Sequence, residues 1–163
     1  MRNPQIIQQK ILDLPKLQQQ VSRWKFLKKS IAFTNGCFDI LHQGHIASLS
    51  QAAAEADFLI VGVNADESVR KLKGEHRPIN DQHSRAILLA SLLMVDVVII
   101  FEEDTPLNLI NAVLPDVLVK GGDYTIEEIV GAKEVIANGG RVVINSIVPG
   151  FSTSGLIEKI HRL

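Results

Sequence analysis

Five short runs of valine, isoleucine, leucine and phenylalanine recur along this chain, and helical patterns stand between them. The runs are 31–33, 58–63, 95–101, 117–119 and 142–144, each bounded by Gly, Asp, Asn or Pro. They lack polar alternation, which marks strands covered on both faces. Between them Ile46, Leu49, Ala53 and Ala56 step by three and four, as do Ala86, Leu89, Leu92 and Leu93. Segments 105–113, 126–137 and 156–160 carry further helical patterns. Strict alternation of strand and helix implies βαβ units, hence a parallel sheet with right-handed crossovers. The expected fold is a Rossmann-like, doubly wound α/β domain: a five-stranded parallel sheet with helices on both faces.

Residues 1–28 stand outside that rhythm and read as an N-terminal helical arm ahead of a domain over 29–163. Leu17, Val21, Trp24 and Leu27 make one helical stripe, with Pro15 in the first turn behind Asp13, and Ile7 and Ile11 suggest a short earlier helix. The arm either packs on the sheet or serves as a dimerisation surface or junction. With 163 residues the chain can bury a sizeable core. A net charge of −1 argues against a nucleic-acid partner. No apolar run could span a bilayer, and the polar N-terminus lacks the apolar core of a signal peptide, so a soluble, cytoplasmic protein is expected. Cys37 is the single cysteine, which excludes an internal disulfide and a cysteine-rich zinc site.

The first run ends in Thr34-Asn35-Gly36-Cys37-Phe38-Asp39, and His42-Gln43-Gly44-His45 opens the next helical pattern. Imidazole donors and a helix N-terminus are thereby placed at the carboxyl end of a strand, where open parallel sheets receive phosphate-bearing ligands. Gly44 lets backbone approach the phosphates while His42 and His45 point into one pocket. A metal pair would want a third ligand, for which Cys37 and Asp39 are the neighbouring candidates. Nucleotidyl transfer fits better, since it needs fixed donors around an α-phosphate with attacking and leaving oxygens in line.

Three later segments carry related chemistry. Lys71-Leu72-Lys73-Gly74-Glu75-His76-Arg77-Pro78-Ile79, read as a loop after the second strand, offers Lys73 and Arg77 as anion clamps. Arg85 follows a helix cap at Asn80 or Asp81, where an arginine suggests an arriving anion. Lys120-Gly121-Gly122-Asp123-Tyr124 follows the fourth strand, and its glycines admit a base or ribose. Ser152, Thr153 and Ser154 precede the last helix and form either a second anion site or a plain N-cap.

FTNGCFDILHQGH, KLKGEHRPIN, FEEDTP, LPDVLVKGGDY and FSTSGLIEKI, taken together and in this order, resemble the adenylyltransferase domain of ADP-heptose synthase, within the HxGH nucleotidyltransferases. The resemblance runs from about Lys29 to the C-terminus. It implies AMP transfer from ATP to a heptose 1-phosphate, with pyrophosphate released, Mg2+ present and a lipopolysaccharide precursor formed. It implies that His42 and His45 hold and neutralise the triphosphate, and that Thr34, Asn35, Gly36, Phe38, Asp39 and Gly44 shape the nucleotide cradle. Lys73 and Arg77 would bind sugar phosphate or triphosphate, and Arg85 phosphates. Gly121, Asp123 and Tyr124 would flank the nucleoside, and Ser152, Thr153 and Ser154 would cap the outer phosphates. It also implies a homodimer and, with no kinase in this chain, a separate sugar kinase upstream. A glycerol-3-phosphate cytidylyltransferase-like enzyme and a non-catalytic nucleotide-binding module are the alternatives. Gly155 departs from the larger residue the resemblance leads one to expect, and glycine weakens a helix start by up to about 1 kcal/mol.

Overall fold

Strand β1 (Ile31–Gly36) lies at the centre of a five-stranded sheet because both of its edges find a parallel partner. β2 (Phe58–Asn64) pairs along one edge and β4 (Val117–Gly121) along the other. β3 (Val97–Phe101) extends the sheet beyond β2, and β5 (Arg141–Asn145) beyond β4, giving the order β3-β2-β1-β4-β5 with every pair parallel. The computed structural model describes residues 5–122, 124–146 and 150–162, so the expectation for Asp123 lies outside the described residues. The chain reverses direction across the sheet between β1 and β4. That switch point is where doubly wound sheets bind ligands.

Both faces of the sheet are covered, as unalternated apolar strands require. Ile31, Phe33, Ile60, Ile99 and Leu118 pack on one face with residues of α2 (Leu14–Phe26), α6 (Leu107–Val113) and α7 (Ala132–Ala137). Ala32, Val61, Val63, Val117 and Val119 pack on the other with α3 (Gln43–Ala53) and α5 (Gln82–Ala90). The period of two along each strand therefore sorts every residue, including those at the strand ends, onto one face or the other.

Asp13 caps α2 by accepting from the Lys16 N–H, with Pro15 in the first turn. Leu17, Val21 and Trp24 enter the core, and Trp24 stacks on Phe58 with ring centroids 4.1 Å apart. Ahead of α2, the segment after α1 (Ile6–Gln9) lies along edge strand β3. The Leu12 N–H donates to Val98 O and the Val98 N–H to Lys10 O, which covers backbone groups that an open edge would expose.

The structure differs from the sequence-based expectations in four places. Residues 66–73 form α4 (Asp66–Lys73), so Lys71 and Lys73 belong to a last helical turn rather than a loop. Its sequence DESVRKLK buries only Ser68 and Val69, too little apolar surface to register as a stripe. The pattern over 126–137 splits into a 3-10 turn (Ile126–Glu128) and α7, because Glu128 folds back to accept from Thr125 and closes the turn on itself. β3 starts at Val97 rather than Val95. The last helix, α8 (Thr153–His161), begins at Thr153 because Ser152 caps it by accepting from the Gly155 N–H.

Candidate active site

A cavity of about 230 Å3 opens at the carboxyl ends of β1 and β4, beside the start of α3. Thr34, Asn35, Gly36 and Phe38 line it from β1 and the turn that follows, with His42, Gly44 and His45 from α3 and Gly121 from β4. Eight of the expected site residues thus share one cavity. Phe38 adopts φ +48, a left-handed conformation rare for a bulky residue and a mark of functional strain. Its ring lies against Gly36, where a Cβ would stand 3.1 Å away, and meets His45 edge-on at 5.3 Å.

His42 is the N-cap of α3. Its Nδ1 accepts a long 3.4 Å bond from the His45 N–H, leaving Nε2 as the site of the ring proton and a donor toward the cavity. The two imidazoles stack, with centroids 3.8 Å apart and planes 17° from parallel. A Cβ on residue 44 would press within 3.1 Å of the His42 ring and 3.2 Å of Phe151 Cβ, so a side chain there would push these neighbours aside by a few tenths of an ångström. Burial, and then the neighbouring His42 ring, push the His45 pKa down to about 4, and burial also lowers that of His42. Both rings are therefore neutral donors near pH 7 in the free protein, and charge neutralisation falls to other groups. His45 Nδ1 is buried with no hydrogen-bond partner among the described residues, a capacity left for a ligand.

Lys120 is the residue that sequence reasoning missed. It comes from the far face of β4, reaches around the strand end and lines the cavity, its Nζ 3.3 Å from Asn35 Oδ1. Burial lowers its pKa, and no carboxylate among the described residues pairs with it. A half-buried ammonium without an anion gives up part of its hydration and attracts one. The signal was present in the lysine that opens the glycine loop, whose role depends on which way it bends.

Two of the residues expected at the site make structural contacts. Arg85 is fully buried and donates to Asn80 O at 3.0 Å, Cys37 O at 2.6 Å and Asp66 Oδ1 at 2.7 Å, so it fastens the loop after β1. Asp39 is 2% exposed and lines no cavity. Its carboxylate accepts from Arg77 Nε and from the backbone N–H groups of Ile79 and Asn80, tying the segment after α4 to the turn after β1. Burial alone would raise the Asp39 pKa, but the Asn80 and Ile79 N–H groups and Arg77 outweigh it and hold the carboxyl below its ordinary value. Arg77 and Lys73 lie close enough to Cys37 for their charges to favour its thiolate, yet burial dominates and raises the thiol pKa. Cys37 thus stays a neutral thiol on the cavity wall.

Tyr124 lines a separate, neighbouring pocket. The start of α8 meets the cavity through Phe151, while the Thr153 hydroxyl donates to Ile40 O at 3.4 Å and ties the helix start to the loop before α3. Among the described residues no group of three His, Cys, Asp or Glu is placed to hold a metal ion. No helix among them is long and apolar enough to cross a membrane.

The comparisons with known proteins agree with this geometry. The cytidylyltransferase-like family model matches residues 33–159. "Bifunctional protein HldE" of Mesorhizobium japonicum is 55% identical over 151 residues, covering 93% of this chain and 30% of that protein. Its namesake in Rhodospirillum rubrum is 51% identical over 152 residues, covering 93% and 31%. The chain therefore spans under a third of the length of these curated relatives. A lipopolysaccharide core biosynthesis protein from Thermoplasma volcanium superposes with a TM-score of 0.60 at 31% identity, covering 74% of this chain and 97% of that one. Pantoate-beta-alanine ligase from Francisella tularensis, solved with β,γ-ATP and β-alanine, superposes at 0.61 and 14% identity over 94% and 78%, a likeness of fold alone. With the family model spanning most of the chain and the HxGH turn seated at the switch point, this chain is a nucleotidyltransferase of the cytidylyltransferase-like family.

Proposed function

We propose that this chain transfers AMP from ATP to a heptose 1-phosphate, releasing pyrophosphate and forming ADP-heptose. The observation that carries the reading is the stacked His42–His45 pair and, in the same cavity, the Lys120 ammonium, which pairs with no carboxylate among the described residues. Neutral imidazole donors, a helix N-terminus and a fixed cation suit a phosphate that gains charge in the transition state. The heptose is supported by the resemblance of the quoted motifs and by the likeness to a protein named for lipopolysaccharide core biosynthesis.

A sugar 1-phosphate is largely dianionic near pH 7, because the second pKa of such esters lies at about 6. One of its oxygens attacks the α-phosphorus, the bond from that phosphorus to the bridging oxygen breaks, and pyrophosphate leaves with the electron pair. No proton has to be removed, so no general base is assigned. His42 and His45 donate to the α-phosphate oxygens, and Lys120 offsets the repulsion between two polyanions. Thr34, Asn35, Gly36 and Phe38 frame the phosphates, Gly121 backs the nucleoside, and Ser152, Thr153 and Ser154 receive the outer phosphates at α8. Lys73 and Arg77 line no part of the cavity but lie within electrostatic reach of Cys37 on its wall, and draw anions in. Mg2+ would come with ATP as part of the MgATP substrate, and Asp39, the carboxylate in the turn after β1, already accepts from Arg77 and two N–H groups.

The chemistry resides in 29–163, while α2, within 1–28, packs on one face of the sheet that carries it. A cytoplasmic homodimer fed by a sugar kinase completes the reading. The test is pyrophosphate release with ATP and CTP against a panel of sugar and polyol phosphates. ATP with heptose 1-phosphate should stand out, and greater release with CTP and glycerol 3-phosphate would overturn the assignment. His42→Ala and His45→Ala should each lower kcat on the order of 10²–10³ with ATP affinity nearly kept. Lost ATP affinity with kcat preserved would refute the transition-state role.

A further inference from the structure

The outer edge of β3 is only partly covered. Its pairing with β2 leaves alternate residues facing outward, and the N-terminal segment meets Val98: the Val98 N–H donates to Lys10 O at 2.8 Å, and Val98 O accepts from the Leu12 N–H at 2.9 Å. The strand period carries the same outward direction to Ile100, two residues on. By then the segment has left the sheet, because Asp13 turns away to cap α2. The Ile100 N–H and C=O therefore have no backbone partner among the described residues. Such an open pair is a template for another chain.

Beside this open edge lies a groove of about 530 Å3, between the start of α2 and the start of α6. Its floor is apolar. Ile99, Phe101 and Leu109 line it, with Leu14, 43% exposed in the first turn of α2, at its rim. Its charges are of one sign: Glu102 and Glu103 line it, and no lysine, arginine or histidine does. Among the described residues neither glutamate forms an ion pair, and Glu103 accepts only a long 3.5 Å bond from Asn108. Of the nearby cations, Lys71 is held by Asp104 at 3.2 Å, and Arg70 lines a different cavity that Glu102 also borders.

We propose that this groove docks an extended, basic peptide segment of another protein, which adds a short strand to the edge of β3. Main-chain bonds to Ile100 set the register, and alternate side chains divide between two environments. Apolar ones meet Leu14 and Leu109, and lysines or arginines meet Glu102 and Glu103. A second copy of this chain fits less well. Pairing two β3 edges would gather four glutamates in one interface, and Val98 is already taken on each edge. The site stands apart from the reaction, since no residue of the groove lines the cavity that holds the histidines.

Fluorescence anisotropy of a labelled ten-residue peptide of alternating valine and lysine, titrated with the full chain, tests the proposal. The wild type should bind it. Glu102→Gln/Glu103→Gln should weaken binding at least tenfold and leave pyrophosphate release unchanged. A peptide of alternating glycine and lysine, equal in charge, should bind at least tenfold more weakly, as should one of the two peptides N-methylated at every second amide. Ile100→Pro removes the protein's donor without breaking a bond inside the sheet and should weaken the peptide equally. Should that variant fail to fold, the N-methylated peptides still decide the matter, because they alter nothing in the protein. No binding by the wild type, full binding of both N-methylated peptides or of the glycine peptide, or unchanged binding in the glutamine variant would each overturn the proposal. Dimerisation of the peptide-free protein that is lost in Ile100→Pro would assign the edge to a second copy instead.

Discussion

Replacing Asp39 with alanine should loosen the wall of the active site before it touches the chemistry. The side chain is 2% exposed and accepts from Arg77 Nε, from Ile79 N at 2.8 Å and from Asn80 N at 3.0 Å. Removing one member of a buried ion pair costs about 3–5 kcal/mol, since the partner keeps its charge. Each stranded N–H adds about 1–3 kcal/mol where water cannot reach it. These contributions overlap, and the Arg77 side chain is 15% exposed and regains some hydration, so about 4 kcal/mol is the sum the geometry supports. In a domain of this size about 1 kcal/mol moves Tm by roughly 2–4 °C, which gives a drop of about 8–16 °C. Asp39→Asn keeps the shape and one acceptor oxygen and should lose about half as much.

Differential scanning calorimetry and urea unfolding measure both variants. Arg77→Ala and the double variant complete a cycle whose coupling should reach at least about 1.5 kcal/mol. The pH dependence follows from the depressed carboxyl: its stabilisation is present above the ordinary aspartate value of 3.8 and is lost as pH falls through the lower folded value. Asp39→Asn should remove that acid limb. A loss below about 1 kcal/mol in Asp39→Ala, or an additive double variant, would refute the bracing role.

Arg85→Met should cost about 3–5 kcal/mol in urea unfolding, since Asp66 and two carbonyls lose a buried donor, while the folded variant keeps ATP affinity within a few fold. A phosphate ligand would show the reverse. Lys120→Met should leave stability unchanged or raised, because the ammonium has no anionic partner among the described residues, yet lower kcat on the order of 10²–10³ in the pyrophosphate assay. The His45 ring should remain unprotonated down to about pH 5 by NMR, with its pKa near 4 rising when nucleotide binds. Because the folded protein disfavours the protonated ring, stability should fall as pH drops from the ordinary 6.5 toward 4, and His45→Gln should flatten that slope.

Periodicity and caps were legible in the sequence because they are local. The strands around Phe33, Val61, Ile99, Val119 and Val143 announced a sheet buried on both faces, and Asp13 and Ser152 marked helix starts through bonds to residues three positions on. The HxGH turn was equally readable: His42, Gly44 and His45 span four residues, and their geometry follows from a strand ending where a helix begins. Helix α4 escaped because its one buried valine left no stripe to read.

What the sequence by itself determined is the parallel α/β frame, the histidine turn at the end of β1 and the loop segments that follow the other strands. Tertiary structure alone decided what the charged residues do. Asp39 and Arg77 stand 38 positions apart, and Arg85 and Cys37 stand 48 apart. Whether such a group meets a ligand or a neighbouring loop depends on how distant segments cross, which no local pattern records. The physical reason is desolvation: Arg85 lies in a fully closed interior with carbonyls and a carboxylate for partners, whereas Lys120 lies at a cavity wall with an amide. The same packing turned one basic residue into a brace and left the other at the cavity wall.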